Sequence, residues 1–468
     1  MIQPRPGALL ATFICISLPL LASPVLAQKM SAEDVARLGK DLTPMGAIRA
    51  GSADGLIPEW TGSIVGLPPG LEWAGQGHPL PDPYADEKPV FTISKDNLDQ
   101  YRERLSPGQI AMFETYPDTF RMPVYPGHRE FGYADSLYAK VRYNAEHAEL
   151  YNDNEGVRGY IGHAAFPVPS TGAEVVWFTR TTGAFATREG EYSDIAVFPN
   201  GTQSTRRSRF LQESPYADRN NPLTPEYEYP KLGEYAGYIM TYVTEPARDK
   251  GLITSIFEPL DYSANAREVW RYLPGSRRVR RAPTVGFDTP DGPGGLKTVD
   301  EVRGFNGSME RFSWEFIGRK EIFIPYHNYR FDDPSLSYEE LLTKFHANPD
   351  YMRYELKRVW IAEATLKPGQ RHLYGKRRIY VDEDTGLTAI TENYDGHGEL
   401  WKVVLFNSLY DYSGQAYVRR VQMYHDLRAG AYISERLVND SEPLLYDASP
   451  MKGPNYFSPS NVRKLGKR

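Results

Sequence analysis

The alternation of apolar and polar positions changes character near residue 185. Beyond it, runs of strand length follow one another with turn residues between them, and two of these, at 235–244 and 252–260, are predicted to pair as a hairpin. About ten such runs are expected to form antiparallel strands. Strands and helices do not alternate, which disfavours a doubly wound α/β fold. The pattern predicts an α+β fold with a large curved antiparallel sheet that forms an incomplete barrel.

The first third of the chain mixes helices with irregular segments. Residues 41–90 are rich in glycine and proline, which predicts an ordered but irregular arm that wraps another layer. Five helices are predicted to begin at Ser31, Ser94, Ser106, Asp135 and Thr171. We therefore expect residues 28–184 to be a helix-and-loop region that packs on the sheet, and residues 185–468 to be the antiparallel half-barrel, the two forming one compact unit.

The amino terminus has the three-part pattern of a cleavable export signal. After Arg5 comes an interrupted apolar run over 8–22, and residues 23–27 place small or modest side chains where a signal peptidase reads them. The run is shorter than the roughly 20 apolar residues of a membrane span. Cys15 lacks the preceding triplet of a lipoprotein signal. Residues 1–27 are therefore predicted to be a signal peptide that is removed without lipidation, the alternative being an uncleaved amino-terminal anchor.

Composition excludes several classes of function. Cys15 is the one cysteine of the chain and lies inside the predicted signal, so the exported protein has no disulfide, thiol nucleophile or zinc–thiolate site. A formal net charge of −6 argues against a general nucleic-acid binder. The histidines are scattered with no pair at helical ligand spacing, and neither a Gly-x-Ser-x-Gly nor a Walker sequence occurs. We expect no metal site, no cofactor and no catalytic residue.

Large aromatic residues on the predicted strands indicate an apolar groove. A small closed barrel would bury them as filling, whereas a half-open sheet too large to fill itself leaves a cavity. Core packing is the alternative for each of them. The residues predicted to form the cavity wall are Trp270, Tyr272, Trp314, Phe316 and Trp360.

Basic clusters on neighbouring strands are candidates for an anionic head group. Alternation places Arg278 and Arg280 on one face of a strand, and arginine forks bind carboxylates and phosphates bidentately. The alternative is a solvated outer face balanced by the 60 acidic residues. The acidic run 382–384 is predicted to be a turn between two strands rather than a catalytic pair.

Three long segments resemble a known family in order along the chain. They run from Leu38 to Ala47 with Asp54–Gly62 following, from Asn265 to Pro283, and from Arg358 to Gly386. Each is similar to the corresponding part of domain-of-unknown-function family 1329. The resemblance implies a periplasmic protein of Gram-negative bacteria with a fold like that of the lipoprotein carriers LolA and LolB, in which helices cover the concave side of an incomplete barrel. It also implies an RND-type exporter and an outer-membrane protein as partners, and no established catalytic residue.

We hypothesise that the protein is a periplasmic carrier that binds a lipid or other amphiphile for transfer between the inner and outer membranes, with only transient membrane contact. A second hypothesis is a non-enzymatic adaptor that docks between an exporter and an outer-membrane channel, for which the arm at 41–90 is suited. A third is a periplasmic hydrolase whose acids and histidines come together on folding.

Overall fold

The computed structural model describes residues 29–223, 235–282 and 287–467. The predicted signal peptide at 1–27 lies outside these ranges and stays a prediction. In the described part of the chain, no helix combines the length and the apolarity that crossing a membrane requires.

Eight α-helices occur within the described ranges, and the five predicted helix starts each coincide with a helix or helical turn. Ser31, Ser106 and Thr171 cap their helices by accepting a backbone N–H of the first turn. The helices are α1 (Ala32–Arg37), α2 (Leu98–Tyr101), α3 (Pro107–Thr115), α4 (Asp135–His147), α5 (Gly172–Thr181), α6 (Tyr338–Leu341), α7 (Pro454–Phe457) and α8 (Pro459–Gly466).

Strands dominate the rest of the described chain. Those of the first half are β1 (Phe91–Ile93), β2 (Met122–Val124), β3 (Glu149–Tyr151), β4 (Gly156–Arg158), β5 (Thr187–Val197), β6 (Gln203–Glu213), β7 (Tyr235–Glu245), β8 (Ile253–Pro259), β9 (Glu268–Leu273) and β10 (Arg278–Arg281). Those of the second half are β11 (Pro290–Asp291), β12 (Lys297–Thr298), β13 (Phe312–Pro325), β14 (Tyr354–Leu366), β15 (Lys376–Asp382), β16 (Thr388–Tyr394), β17 (Leu400–Asp411), β18 (Ala416–Asp426), β19 (Ala431–Leu437) and β20 (Leu445–Tyr446).

Sixteen of these strands form one sheet, whose order confirms the predicted fold class. From one edge to the other the order is β1-β2-β14-β15-β16-β17-β18-β19-β5-β6-β7-β8-β9-β10, with β13 beside β14 and β20 beside β5. Every pairing between its long strands is antiparallel. Among the described residues β10 pairs with β9 alone, so the sheet stays open. The predicted hairpin of β7 and β8 is present.

The sheet curves around α5. This helix packs on β13, β14 and β15, and its Thr179 accepts a hydrogen bond from Arg419 on β18 at 2.8 Å. Its Trp177 and Arg180 share a cavity with residues of β6, β7 and β8. Strands so far apart in the sheet order meet the same helix only because the sheet bends round it. Helix α5 therefore lies on the concave side.

Close packing of α5 depends on small residues. A Cβ at Gly172 would lie 2.5 Å from the backbone oxygen of Glu315 on β13, so only glycine fits this contact. Nine of the ten residues of the helix are buried, including Trp177 and Phe178. A helix buried on all sides belongs to the core of a domain.

The region before residue 185 contributes to the same core. Strands β1 and β2 join the edge of the sheet through a bridge between Val124 and Tyr354. Helix α3 lies against β16 and β17, where the N–H of Gly108 donates to Glu392 at 2.6 Å. The division of the chain at residue 185 stays a prediction, although residues on both sides of it share one hydrophobic cluster.

The irregular arm is held to the sheet by Arg129. Its guanidinium donates to both carboxylate oxygens of Asp384, at 2.7–3.2 Å, and to the backbone oxygens of Ile48, Arg49 and Pro58 in the arm, at 2.8–3.2 Å. The side chain of Arg129 is only 2% exposed. The predicted turn at 382–384 is thus an anchor for the arm.

We predict that Asp384→Asn destabilises the protein by about 3 kcal/mol, because it leaves the buried Arg129 guanidinium without its counter-charge. Thermal unfolding and limited proteolysis of the arm measure the effect. The control is Asp41→Asn, which removes an exposed partner of Arg37 and should leave the unfolding temperature nearly unchanged. Equal effects of the two substitutions would contradict the anchoring role of Arg129.

Candidate functional site

Two adjoining cavities lie beneath α5. The first, of about 80 Å³, is lined by Trp177 and Arg180 of α5 and by residues of β6, β7 and β8. The second, of about 60 Å³, reaches from these strands to β18. Both are lined by Gln212, Arg303 and Arg436, so the two cavities adjoin each other, and the first also carries the carboxylates of Glu213 and Glu258.

Four arginines surround the second cavity, and we call Arg188, Arg303, Arg419 and Arg436 the arginine cleft. Arg188 lies on β5, Arg419 on β18 and Arg436 on β19, while Arg303 lies in the segment before β13. The fold thus brings together residues that are 17 to 248 positions apart (436 − 419 and 436 − 188). Within the described residues, no carboxylate lines this cavity.

Like charges and burial make the arginine cleft electrostatically costly. Burial lowers the pKa of Arg188 to about 9, with Arg436 and Arg303 contributing. Burial also lowers the pKa of Arg419 to about 9, with Arg303, Arg436 and Arg188 contributing. Both guanidinium groups remain cationic at neutral pH. The cleft is therefore a concentrated positive site in a chain whose formal net charge is −6.

Neighbouring Arg420 has the opposite environment. Its guanidinium pairs with Asp332 and lies 3.6 Å from a carboxylate oxygen of Asp411. These carboxylates raise the pKa of Arg420 above its ordinary value, despite complete burial. Arg420 therefore has buried carboxylate partners, whereas no carboxylate among the described residues lines the second cavity beside Arg419.

The hydrogen bonds of the cleft leave donors open. Arg188 donates through Nη2 to Gln212 at 3.0 Å, while its buried Nε has no partner among the described residues. Arg419 donates through Nη1 to the hydroxyl of Thr179 on α5. In the adjoining cavity, Nε and Nη1 of Arg180 are likewise buried without a partner among the described residues. Unpaired buried donors are costly, and each calls for a physical explanation.

Two of the four arginines adopt left-handed backbone conformations. Arg303 has φ of 61° and Arg436 has φ of 65°, a region that bulky side chains rarely occupy. Hydrogen bonds hold both backbones there, because the N–H of Arg303 donates to Gln422 and that of Arg436 donates to Asp194. Such strained residues are concentrated at ligand-binding and catalytic sites.

The histidine in the cleft wall adds no positive charge at neutral pH. His163 is fully buried, one ring nitrogen lies 2.9 Å from the backbone oxygen of Gly183, and burial lowers its pKa to about 4. The described residues contain no cluster of side chains suited to a metal ion.

Three of the predicted wall residues come together beside the cleft. The ring centres of Phe316 and Trp360 are 5.8 Å apart, and Trp314 lies 4.8 Å from Phe305. Phe305 in turn lines the first cavity and lies 5.1 Å from the guanidinium of Arg180. Trp314 and Phe316 are half-buried on the edge strand β13. The aromatic group therefore lies between the cavities and the outside.

Trp270 and Tyr272 do not join this group. Both lie on β9, which nine strands separate from β14 in the sheet order. Tyr272 is buried in a separate cluster with Phe457 and Val462 of the C-terminal helices. The five predicted wall residues therefore divide into two places, because strand alternation does not indicate which element covers each end of the sheet.

Arg278 and Arg280 lie on the edge strand β10 and are exposed, outside both cavities. Other basic residues singled out on strands form ion pairs, for instance Arg206 with Asp194 and Arg378 with Glu363. The patterns in the sequence did not indicate the arginines that gather beneath α5. No sequence signal distinguishes Arg188, Arg419 and Arg436, because each lies in a strand that also carries other charged residues.

Comparisons with known proteins identify the family. Residues 92–463 match the family described as "Protein of unknown function (DUF1329)". The chain belongs to this family. An uncharacterized protein of Pseudomonas aeruginosa is 38% identical over 97% of each chain. Both findings confirm the resemblance seen in the sequence.

Two solved structures are similar to part of this chain at low sequence identity. One is a DUF1329 family protein from Desulfovibrio piger and the other a putative outer membrane lipoprotein-sorting protein domain from Vibrio parahaemolyticus. Each is 14% identical, has a TM-score of 0.42, and covers 62% of this chain and 97% of its own.

We predict that Arg419→Gln stabilises the protein by about 1 kcal/mol, because it removes one of four mutually repelling charges. The matched control is Arg420→Gln, which should cost about 3 kcal/mol because it leaves Asp332 buried without its partner. Thermal unfolding in a chloride buffer compares the two. Destabilisation by Arg419→Gln equal to that by Arg420→Gln would show that the cleft is an ordinary structural network.

Proposed function

We propose that this protein is a periplasmic carrier that binds a lipid or other amphiphile and transfers it between the inner and outer membranes, beside an RND-type exporter. One observation carries the proposal: an aromatic group around Trp314, which contacts Phe305, lies near the cationic arginine cleft. An amphiphile with an anionic head matches both features. Among the described residues, neither cavity combines a histidine with a carboxylate, as an acid–base pair of a hydrolase would require.

The small size of these two cavities indicates that loading requires movement. Volumes of about 80 and 60 Å³ are smaller than the roughly 150 Å³ cavity that admits benzene in another protein. An acyl chain fits in neither cavity in this conformation. Each buried CH₂ contributes about 0.8 kcal/mol, so sheltering a chain offsets part of the cost of moving α5. We assign α5 the role of the lid, as part of the helical first third.

Native mass spectrometry of the protein purified from the periplasm tests the carrier proposal. We expect a fraction of molecules to retain an amphiphile, which lipid analysis of the released material identifies. A protein that is always empty, and that binds no apolar dye, would overturn the proposal. Crosslinking of such an empty protein to envelope partners would then support the adaptor role.

A disulfide between α5 and the sheet should block exchange of the amphiphile. The hydroxyls of Thr179 on α5 and Thr388 on β16 are 3.0 Å apart, so Thr179→Cys with Thr388→Cys places two thiols within bridging reach. The described residues contain no cysteine that competes. We expect the oxidised double variant to neither load nor release a fluorescent fatty acid, and reduction to restore both.

The single variants Thr179→Cys and Thr388→Cys are the controls for lost hydroxyl groups. Under oxidising conditions each should still load and release the fluorescent fatty acid, as the reduced double variant does. Unhindered exchange in the oxidised double variant would show that α5 is not the lid.

A further inference from the structure

We propose that the arginine cleft is a binding site for a phosphate ester group, with the remainder of the ligand extending past Phe305 toward Trp314. This inference rests on the proposed carrier function and specifies the chemistry of its cargo. The same group is presented by a phospholipid head or by a free phosphorylated small molecule, so the shared feature is the tetrahedral oxyanion.

Charge is the first argument for an anionic ligand. Arg188, Arg303, Arg419 and Arg436 line one cavity from which carboxylates are absent among the described residues. Buried charges in proteins are normally paired, since an isolated one carries a large desolvation cost. The fold follows this rule at Arg420, at Arg129 and at Arg377, each of which bonds an aspartate. An anion bound in the cleft would complete the same pattern.

Donor geometry is the second argument. A guanidinium presents its N–H groups in a planar fork that matches phosphate oxygens, and this fork is why arginine dominates phosphate recognition. In the cleft, Nε of Arg188 has no hydrogen-bond partner among the described residues, and Arg419 donates one hydrogen bond to Thr179. The remaining guanidinium donors of Arg188 and Arg419 are therefore available to one oxyanion.

The number of cations distinguishes phosphate from carboxylate. A carboxylate carries one charge and two acceptor oxygens, whereas a phosphate monoester carries up to two charges and three free oxygens. Four arginines exceed what one carboxylate can neutralise. His163 is neutral at periplasmic pH because burial lowers its pKa to about 4, so the arginines alone set the charge of the site.

Size is the third argument. A cavity of about 60 Å³ is well below the roughly 150 Å³ cavity that admits benzene in another protein, so it holds one compact group and not an acyl chain. The adjoining cavity carries the apolar side chains of Trp177, Leu260 and Phe305. A phosphate in the cleft thus leaves its ester substituent in the adjoining space, on the path to Trp314.

Backbone strain supports a dedicated site. Arg303 and Arg436 both line the two cavities, and both are held at positive φ by hydrogen bonds to buried partners. Glycine would relieve that strain, but it would remove the guanidinium groups. The presence of arginine at these two strained positions is explained if the side chains hold a ligand.

Calorimetry with three probes tests the proposal on the whole exported chain in chloride buffer. The probes are inorganic phosphate, short-chain phosphatidic acid, which is a phosphate monoester, and the corresponding uncharged diacylglycerol. We expect phosphatidic acid to bind, and Arg419→Gln and Arg436→Gln each to weaken that binding by about tenfold or more, as for loss of a charged hydrogen bond. Arg209→Gln, at an exposed arginine of β6, removes the same charge outside the cleft and should leave binding unchanged.

The outcomes separate the site from the carrier function. Binding of inorganic phosphate that the cleft variants abolish supports the site with a free phosphate as its ligand, and binding of phosphatidic acid alone, weakened in the cleft variants, supports a lipid head group. Equal binding of phosphatidic acid and diacylglycerol, unchanged in the cleft variants, overturns the site and leaves the carrier standing. Absence of binding by all three probes, in protein shown to be folded and stripped of ligand, overturns both.

Discussion

Burial of a whole helix inside an open sheet is the constraint on which the structure depends. A sheet of this size has two faces to cover, and its central strands β14–β19 are buried along almost their whole length. Helix α5 covers one face from within the curve, and the region before residue 185 supplies α3 and the arm elsewhere. Because the sheet remains open, the space beside α5 is not filled as the interior of a small closed barrel would be.

Buried arginines around this space have two kinds of surroundings. Ion pairs such as Arg129 with Asp384 and Arg377 with Asp300 satisfy buried charges and attach loops to strands. Beneath α5 the positive charges of the cleft face one another instead. Natural proteins tolerate such locally unfavourable arrangements chiefly where they serve a function, and the rest of the fold offsets the lost stability. The cleft is therefore a better guide to function than the exposed basic strand at Arg278.

Local patterns in the sequence predict the elements well and the site only in part. Serine and threonine caps mark where α1, α3 and α5 begin, and turn residues separate strands such as β7 and β8. Alternation also places Trp314 and Phe316 on one face. It cannot show that Tyr272 is covered by the C-terminal helices, because that contact joins segments about 190 residues apart in sequence. The proximity of Arg188, Arg419 and Arg436 is equally hidden in the sequence, because it arises from the order in which β18, β19 and β5 pair in the sheet.

Arg419 links the cleft to the helix that covers it. Its Nη1 donates to the hydroxyl of Thr179, which also contacts Thr388 on β16, so this one residue connects β18, α5 and β16. An oxyanion in the cleft competes with Thr179 for the donors of Arg419, and the empty cleft favours the bond to α5. Binding and helix position are then thermodynamically linked, and each biases the other by the same free energy. In the proposed carrier, occupancy of the cleft would weaken the contact between Arg419 and α5 and so link loading to movement of the proposed lid.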